Sequence, residues 1–88
     1  MDKDNSEHKE KEVKIIVNTR EKVWNKKEIS YEEVVVLAFG SHSQDENVVY
    51  TVTFSKGPDG HREGSLVKGE SVKVKDGMIF NVTQTNKS

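Results

Sequence analysis

The sequence predicts an α+β domain, one helix packed on a mixed, mostly antiparallel sheet. Short β-branched runs alternate with period two near both ends and in the middle of the chain. Between two of them lies a single segment with helical spacing and a start and stop signal of its own. The 88 residues leave room for one domain and no more.

Val13, Ile15 and Val17 alternate with Lys14, Ile16 and Asn18, the pattern of a half-buried strand. Thr19-Arg20-Glu21 is expected to turn the chain, and Lys22-Val23-Trp24 to return it as a hairpin. The following segment carries two signals. Val34-Val35-Val36 is a β-branched run suited to a buried strand. Against that, Ser30 and Glu33 have capping-box spacing, and Tyr31, Val34, Val35 and Ala38 fall at i, i+3, i+4 and i+7. Gly40 stands where a C-cap glycine belongs, so the residues favour a helix over Tyr31 to Phe39.

Beyond the polar loop from Ser41 to Asn47, Val48, Tyr50, Val52 and Phe54 line one face of a strand. Lys56-Gly57-Pro58-Asp59-Gly60 is a turn, because proline presets φ and glycine supplies positive φ. Glu63 to Leu66 is the expected return arm. Val72-Lys73-Val74 and Met78 to Val82 form two more strands around Asp76-Gly77. The polar residues from Thr83 onward predict a frayed end, with the domain over 13–83 and a flexible tail over 84–88.

Hairpin, helix, then strands ending in an apolar one is the order of a β-grasp fold. There the last strand lies beside the first, and the hairpin and crossover make that central pair parallel. The expected core is Ile15, Val17, Tyr31, Val34, Val35, Ala38, Tyr50, Val52, Phe54, Leu66, Met78, Phe80 and Val82.

Hydrophobic residues make up 32% and charged residues 33%, with mean hydropathy −0.79, so part of the chain is expected to lie outside the fold. Met1 to Glu12 has no large apolar residue after Met1 and reads as a disordered charged tail. It lacks the apolar core of a secretion signal, and no run approaches the roughly 20 apolar residues of a membrane span. A cytoplasmic location is the resulting expectation. The net charge of −1, with both signs mixed, provides no field for nucleic acid or an anionic membrane. The absence of cysteine excludes thiol catalysis, thiolate zinc sites and disulfides.

Motifs that could carry chemistry fail on inspection. Gly64-Ser65-Leu66-Val67-Lys68-Gly69-Glu70-Ser71 has the outline of a phosphate-binding loop, but Glu70 stands where the lysine is required and no helix follows. His8, His42 and His61 have no metal-ligand spacing and read as surface residues. Adjacent Glu32 and Glu33 point about 100° apart on a helix, so they complement its dipole rather than form an acid/base pair. No serine, histidine and acid are set out for nucleophilic catalysis, and the glycosylation sequons at Asn81 and Asn86 read as chance matches without a secretion signal. The chain is expected to be neither an enzyme nor a cofactor binder.

Two features point to binding. Trp24 with Val23 could anchor a contact from the hairpin. Ile16 and Ile79 become neighbours on the outer sheet face if the first and last strands pair, and Val49 is expected to extend that patch.

From Val13 to Ser88 the chain resembles the multiubiquitin domain, a bacterial ubiquitin-like family. The resemblance is carried by Glu28-Ile29-Ser30-Tyr31-Glu32-Glu33-Val34-Val35-Val36-Leu37-Ala38-Phe39 and Val49-Tyr50-Thr51-Val52-Thr53-Phe54-Ser55. It continues through Glu63 to Val74 and Asp76 to Thr83. It implies a ubiquitin-like β-grasp with a helix at Tyr31 to Phe39, and a modifier or modifier precursor in a conjugation system. The partners implied are activating and conjugating enzyme relatives and a deubiquitinase-like metalloprotease. Family members often carry tandem copies; this sequence has one. A conjugated ubiquitin-like protein normally ends in glycine, since a side chain would clash in the channel its tail threads. Here no glycine follows Gly77, and Thr85, Asn86, Lys87 and Ser88 stand where partner enzymes would handle the tail. The alternative is a noncovalent binding or scaffold module of the same fold.

Overall fold

A computed structural model describes residues 12–43 and 45–86. Apart from Glu12, the expected N-terminal tail lies outside the described residues, as do Lys87 and Ser88.

Strand β1 (Val13–Val17) buries Ile15 and Val17 and turns Lys14 and Ile16 outward, as alternation requires. It pairs antiparallel with β2 (Arg20–Trp24), with Val17 opposite Arg20. The loop is therefore only Asn18-Thr19, tighter than the expected Thr19-Arg20-Glu21. Both residues have positive φ, 52° and 71°, the twist that matches two-residue hairpins. The sequence signal for this turn is weak, because threonine is a poor left-handed residue.

Strand β3 (Glu28–Ser30) has no counterpart in the sequence reading. It leads directly into α1 (Tyr31–Phe39), which has the bounds that capping and periodicity predict. Ser30 Oγ accepts from the Glu33 N–H at 3.1 Å, and Glu33 Oε1 accepts from the Ser30 N–H at 2.9 Å. Gly40 closes the helix at φ 87°, its N–H donating to the Val36 carbonyl. The β-branched run is thus helical because its ends are fixed and Val34 and Val35 share one buried face with Tyr31.

Strand β4 (Val48–Ser55) buries Tyr50, Val52 and Phe54. Gly57 tolerates no side chain in the next turn, because a Cβ there would overlap the His61 carbonyl oxygen. Short strands β5 (Gly64–Leu66) and β6 (Ser71–Lys73) precede β7 (Ile79–Asn86). The main sheet has the order β2-β1-β7-β4-β5, and β3 pairs with β6 in a separate ribbon. The β1–β7 pairing is parallel and every other pairing is antiparallel. Among the described residues, this mixed sheet around one helix is the α+β, ubiquitin-like β-grasp arrangement that the element order predicts.

The core contains the expected residues, with Ala38 only partly buried, and adds Ile29 and Val72. Those two sit opposite each other in the β3–β6 ribbon, which holds the start of α1 against the long return segment. At 0% exposure, Ile29 is as deep as Phe80.

Thr83 to Asn86 do not fray. β7 continues to Asn86 and pairs along the whole of β4, Val48 opposite Asn86 and Ser55 opposite Ile79. Backbone pairing with β4 supplies the order that their polar side chains do not signal. Thr83, Thr85 and their partners Val49 and Thr51 form a two-stranded extension beyond the end of β1.

The transition to that extension has a specific cause. Asn18, just past β1, accepts from the Val82 N–H through Oδ1 at 2.8 Å and donates to the Val82 carbonyl through Nδ2 at 3.1 Å. Its amide stands in for one more residue of strand, and among the described residues no strand flanks β7 on that side afterwards.

Candidate functional site

The outer sheet face alternates with the core face, so its residues follow from register. On β7 and β4 it presents Ile79, Asn81, Thr83 and Thr85 beside Ser55, Thr53, Thr51 and Val49. On β1 and β2 it presents Lys14 and Ile16 beside Val23 and Glu21.

Ile16 and Ile79 are direct partners in the parallel β1–β7 pairing, and both are half-buried. Three backbone bonds fix this pairing: the Gly77 N–H to the Lys14 carbonyl at 2.6 Å, Ile16 N–H to Met78 at 2.9 Å, and Asn18 N–H to Phe80 at 3.0 Å. Asp76 extends the ladder, its Oδ1 accepting from the Lys14 N–H at 2.8 Å. Val23 is 54% exposed and lies diagonal to Ile16, within the 7–8 Å reach of diagonal cross-strand neighbours. An apolar corner of Ile79, Ile16 and Val23 therefore stands on a face otherwise made of Thr, Ser, Asn and charged side chains.

Val49, expected to extend this patch, and Trp24, expected as a contact anchor on the hairpin, both lie away from it. Val49 shares the face but lies opposite Thr85, six residues along β4 from the Ser55 that pairs with Ile79. At about 3.4 Å per residue that is roughly 20 Å away. Trp24 points to the opposite face, where it packs against the core edge. Its Nε1 donates to the Glu28 carbonyl at 2.9 Å, and the Lys26 ammonium sits 5.6 Å from its ring centroid. Period-two spacing assigned the faces, but register along the strands decides which residues on a face meet. Val23, mentioned only as Trp24's neighbour, belongs to the patch, and its alternation with Trp24 was the available signal.

Of the tail residues, Thr85 and Asn86 are held in β7 opposite Val49 and Val48. Lys87 and Ser88 lie outside the described residues.

A second concavity lies at the far edge of the sheet. An open cleft of about 520 Å³ separates the loop after α1 from the end of β5, with His42, Asp45, Tyr50, Leu66 and Lys68 among its walls. His42 packs between Tyr31 and Tyr50, at ring centroid distances of 5.8 and 5.2 Å. Both ring nitrogens are buried, with no hydrogen-bond partner among the described residues, which corrects its reading as a surface histidine. Loop position concealed this, because the aromatic neighbours come from α1 and β4. Burial pushes the Tyr31 hydroxyl above its ordinary pKa, partly offset by its hydrogen bond to the Tyr50 carbonyl at 3.3 Å.

Glu33 is the other perturbed acid. Partial burial raises it, but the Ser30 N–H and Lys26, 3.2 Å away, outweigh that and hold it below the ordinary carboxylate value. Its role is thereby capping. Among the described residues no group of three or more His, Cys, Asp or Glu is placed to hold a metal. Among those residues, too, no helix is long and apolar enough to cross a membrane.

Among known families, the model described as Multiubiquitin matches residues 13–86. No curated protein and no solved structure matches the chain.

Proposed function

The chain belongs to the multiubiquitin family, and on that premise we propose that it is a bacterial, cytoplasmic protein modifier or modifier precursor. In this reading it is handled by activating and conjugating enzyme relatives and released by a deubiquitinase-like metalloprotease. Ubiquitin-like domains are generally non-catalytic, which agrees with a chain that acts by being recognised.

The observation that carries the reading is the Ile16–Ile79 pair with Val23, gathered at one corner of an otherwise polar sheet face. Exposed apolar residues are ordinary singly and informative when contiguous. These three are contiguous, rest on a rigid ladder, and are not needed to fill the core.

One observation favours the second reading, a noncovalent binding or scaffold module. Gln84, Thr85 and Asn86 are paired along β4. An activating enzyme that threads an extended tail could use only residues after Asn86, or would first have to peel these from the sheet.

The two readings separate in one experiment. The protein is incubated with ATP and an activating-enzyme relative from the same organism, and intact mass is measured. A modifier yields an adenylate or higher-mass adducts; retained binding with no adduct on any lysine-bearing partner overturns conjugation and leaves the module. The doubly substituted Ile16→Ala, Ile79→Ala protein should bind the enzyme more weakly while remaining folded. A stability loss in the 2–5 kcal/mol range of fully buried positions would return both residues to the core and remove the patch.

A further inference from the structure

The apolar corner does not use the opposite edge of the sheet, where β4 outruns its neighbour. Because Val82 spends both backbone groups on Asn18, the even-numbered residues of β7 point away from β4 and the odd-numbered ones toward it. Register then makes Val49, Thr51 and Thr53 the β4 residues bonded to β7, so Val48, Tyr50, Val52 and Phe54 direct their backbone groups to the β5 side.

β5 meets only part of that row. It ends with Leu66 opposite Val52. The chain then curls back on itself, the Val67 N–H donating to Glu70 Oε1 at 3.0 Å and the Glu70 N–H to the Val67 carbonyl at 2.9 Å. Local groups satisfy the Val48 N–H, through the Asp45 carbonyl at 3.0 Å, and one lone pair of the Tyr50 carbonyl, through Tyr31. The Tyr50 N–H and the Val48 carbonyl lie on the cleft side of β4, and among the described residues no strand stands opposite them. Folded proteins usually blunt such an edge with a bulge, a proline or an inward charge, and Val48 to Val52 carries none of these.

We propose that this cleft is a docking site for an extended peptide segment of a partner protein, which pairs antiparallel with β4 as a continuation of β5. Backbone bonds to Tyr50 and Val48 supply the affinity, as in other cases of strand addition. Guest residues opposite Tyr50 and Val48 share their inward face, so an apolar side chain there fills the hollow between Tyr50 and Leu66. The charges set the direction: Lys68 stands at the Leu66 end and Asp45 and Glu46 at the Val48 end. An antiparallel guest begins beside Lys68 with an acidic residue and finishes beside Asp45 and Glu46 with a basic one.

The test titrates the isotope-labelled full chain with acetyl-Glu-Leu-Thr-Val-Lys-amide and follows backbone amides by NMR. Saturable shifts centred on Val48, Tyr50 and Val67, with slowed hydrogen exchange at the Tyr50 amide, are expected. N-methylation of the guest leucine removes its donor to the Tyr50 carbonyl and should weaken binding about tenfold. Glu46→Lys, an exposed change that should keep the dispersed spectrum, should weaken it about threefold, with recovery when the guest ends in glutamate. The proposal is overturned by absence of saturation into the millimolar range, by shifts centred on Ile16 and Ile79, or by equal affinity for the N-methylated peptide. A Glu46→Lys protein that binds both peptides alike overturns the assigned direction.

Discussion

The two faces of the central sheet are written in the same strands yet in different alphabets. The inner face is Ile15, Val17, Val52, Phe54, Phe80 and Val82, all nearly inaccessible. The outer face is largely polar, with Lys14, Glu21, Thr51, Thr53, Ser55, Asn81, Thr83 and Thr85, and its apolar residues are Val49 and the Ile16, Ile79 and Val23 corner. Threonine keeps the β-branched shape that suits a strand while leaving a hydroxyl to water. The comparison teaches that strand propensity was satisfied on both faces by shape, and apolarity was reserved for the core and one corner. Apolar residues at that corner are therefore informative in a way that those of the core are not.

The contrast breaks most severely from within. Phe80→Ala should cost about 3–5 kcal/mol, because a fully buried ring against Phe54 leaves a cavity the rigid ladder cannot close. Urea unfolding measures it, and a loss below about 1 kcal/mol would refute the assignment of faces. Asn18→Ala should come next, at about 1–3 kcal/mol, by stranding the N–H and carbonyl of Val82. Faster hydrogen exchange at Val82, ahead of the rest of β7, would mark that cause specifically.

Ser30→Ala tests the helix that covers the inner face and should cost about 1 kcal/mol, the ordinary worth of an N-cap. The same box has a pH signature. The folded-state pKa of Glu33 is depressed, so its contribution is complete above the unfolded value and is lost as pH falls through the folded one. Stability should decline at acidic pH with a slope that Glu33→Gln reduces, as a series of unfolding curves would show. The smallest effect is expected outside, where Val49→Thr should stay within about 0.5 kcal/mol and leave partner binding at the apolar corner unchanged. Lost binding there would join Val49 to the patch after all.

How far the sequence can be read follows from the same contrast. Helix α1 was legible because capping, periodicity and Gly40 agreed, against the opposing β-branched run. The inner faces of β1, β4 and β7 were legible because alternation needs no partner to be visible. Strand β3 was not, since three residues carry no period and Ile29 becomes core only through Val72, which follows 43 positions later in the chain. The ordering of Thr83 to Asn86 was hidden for a similar reason, as polar residues on a ribbon are ordered by the backbone of β4. At the candidate site the Ile16–Ile79 contact could be predicted from topology, whereas Val49 and Trp24 needed register and facing. His42 was beyond reach, since a loop residue shows nothing of the two tyrosines that enclose it.

The amide of Asn18 has a consequence for geometry at the scale of the whole molecule. By ending the flank of β7 at Val82, it leaves the last strand to run on with β4 alone beside it among the described residues. Asn86 lies seven residue steps along β7 from Ile79, about 24 Å of strand. Asn86 itself is thus held at a set distance from the apolar corner. A partner that grips that corner meets Asn86 only if its own reach matches this built-in ruler.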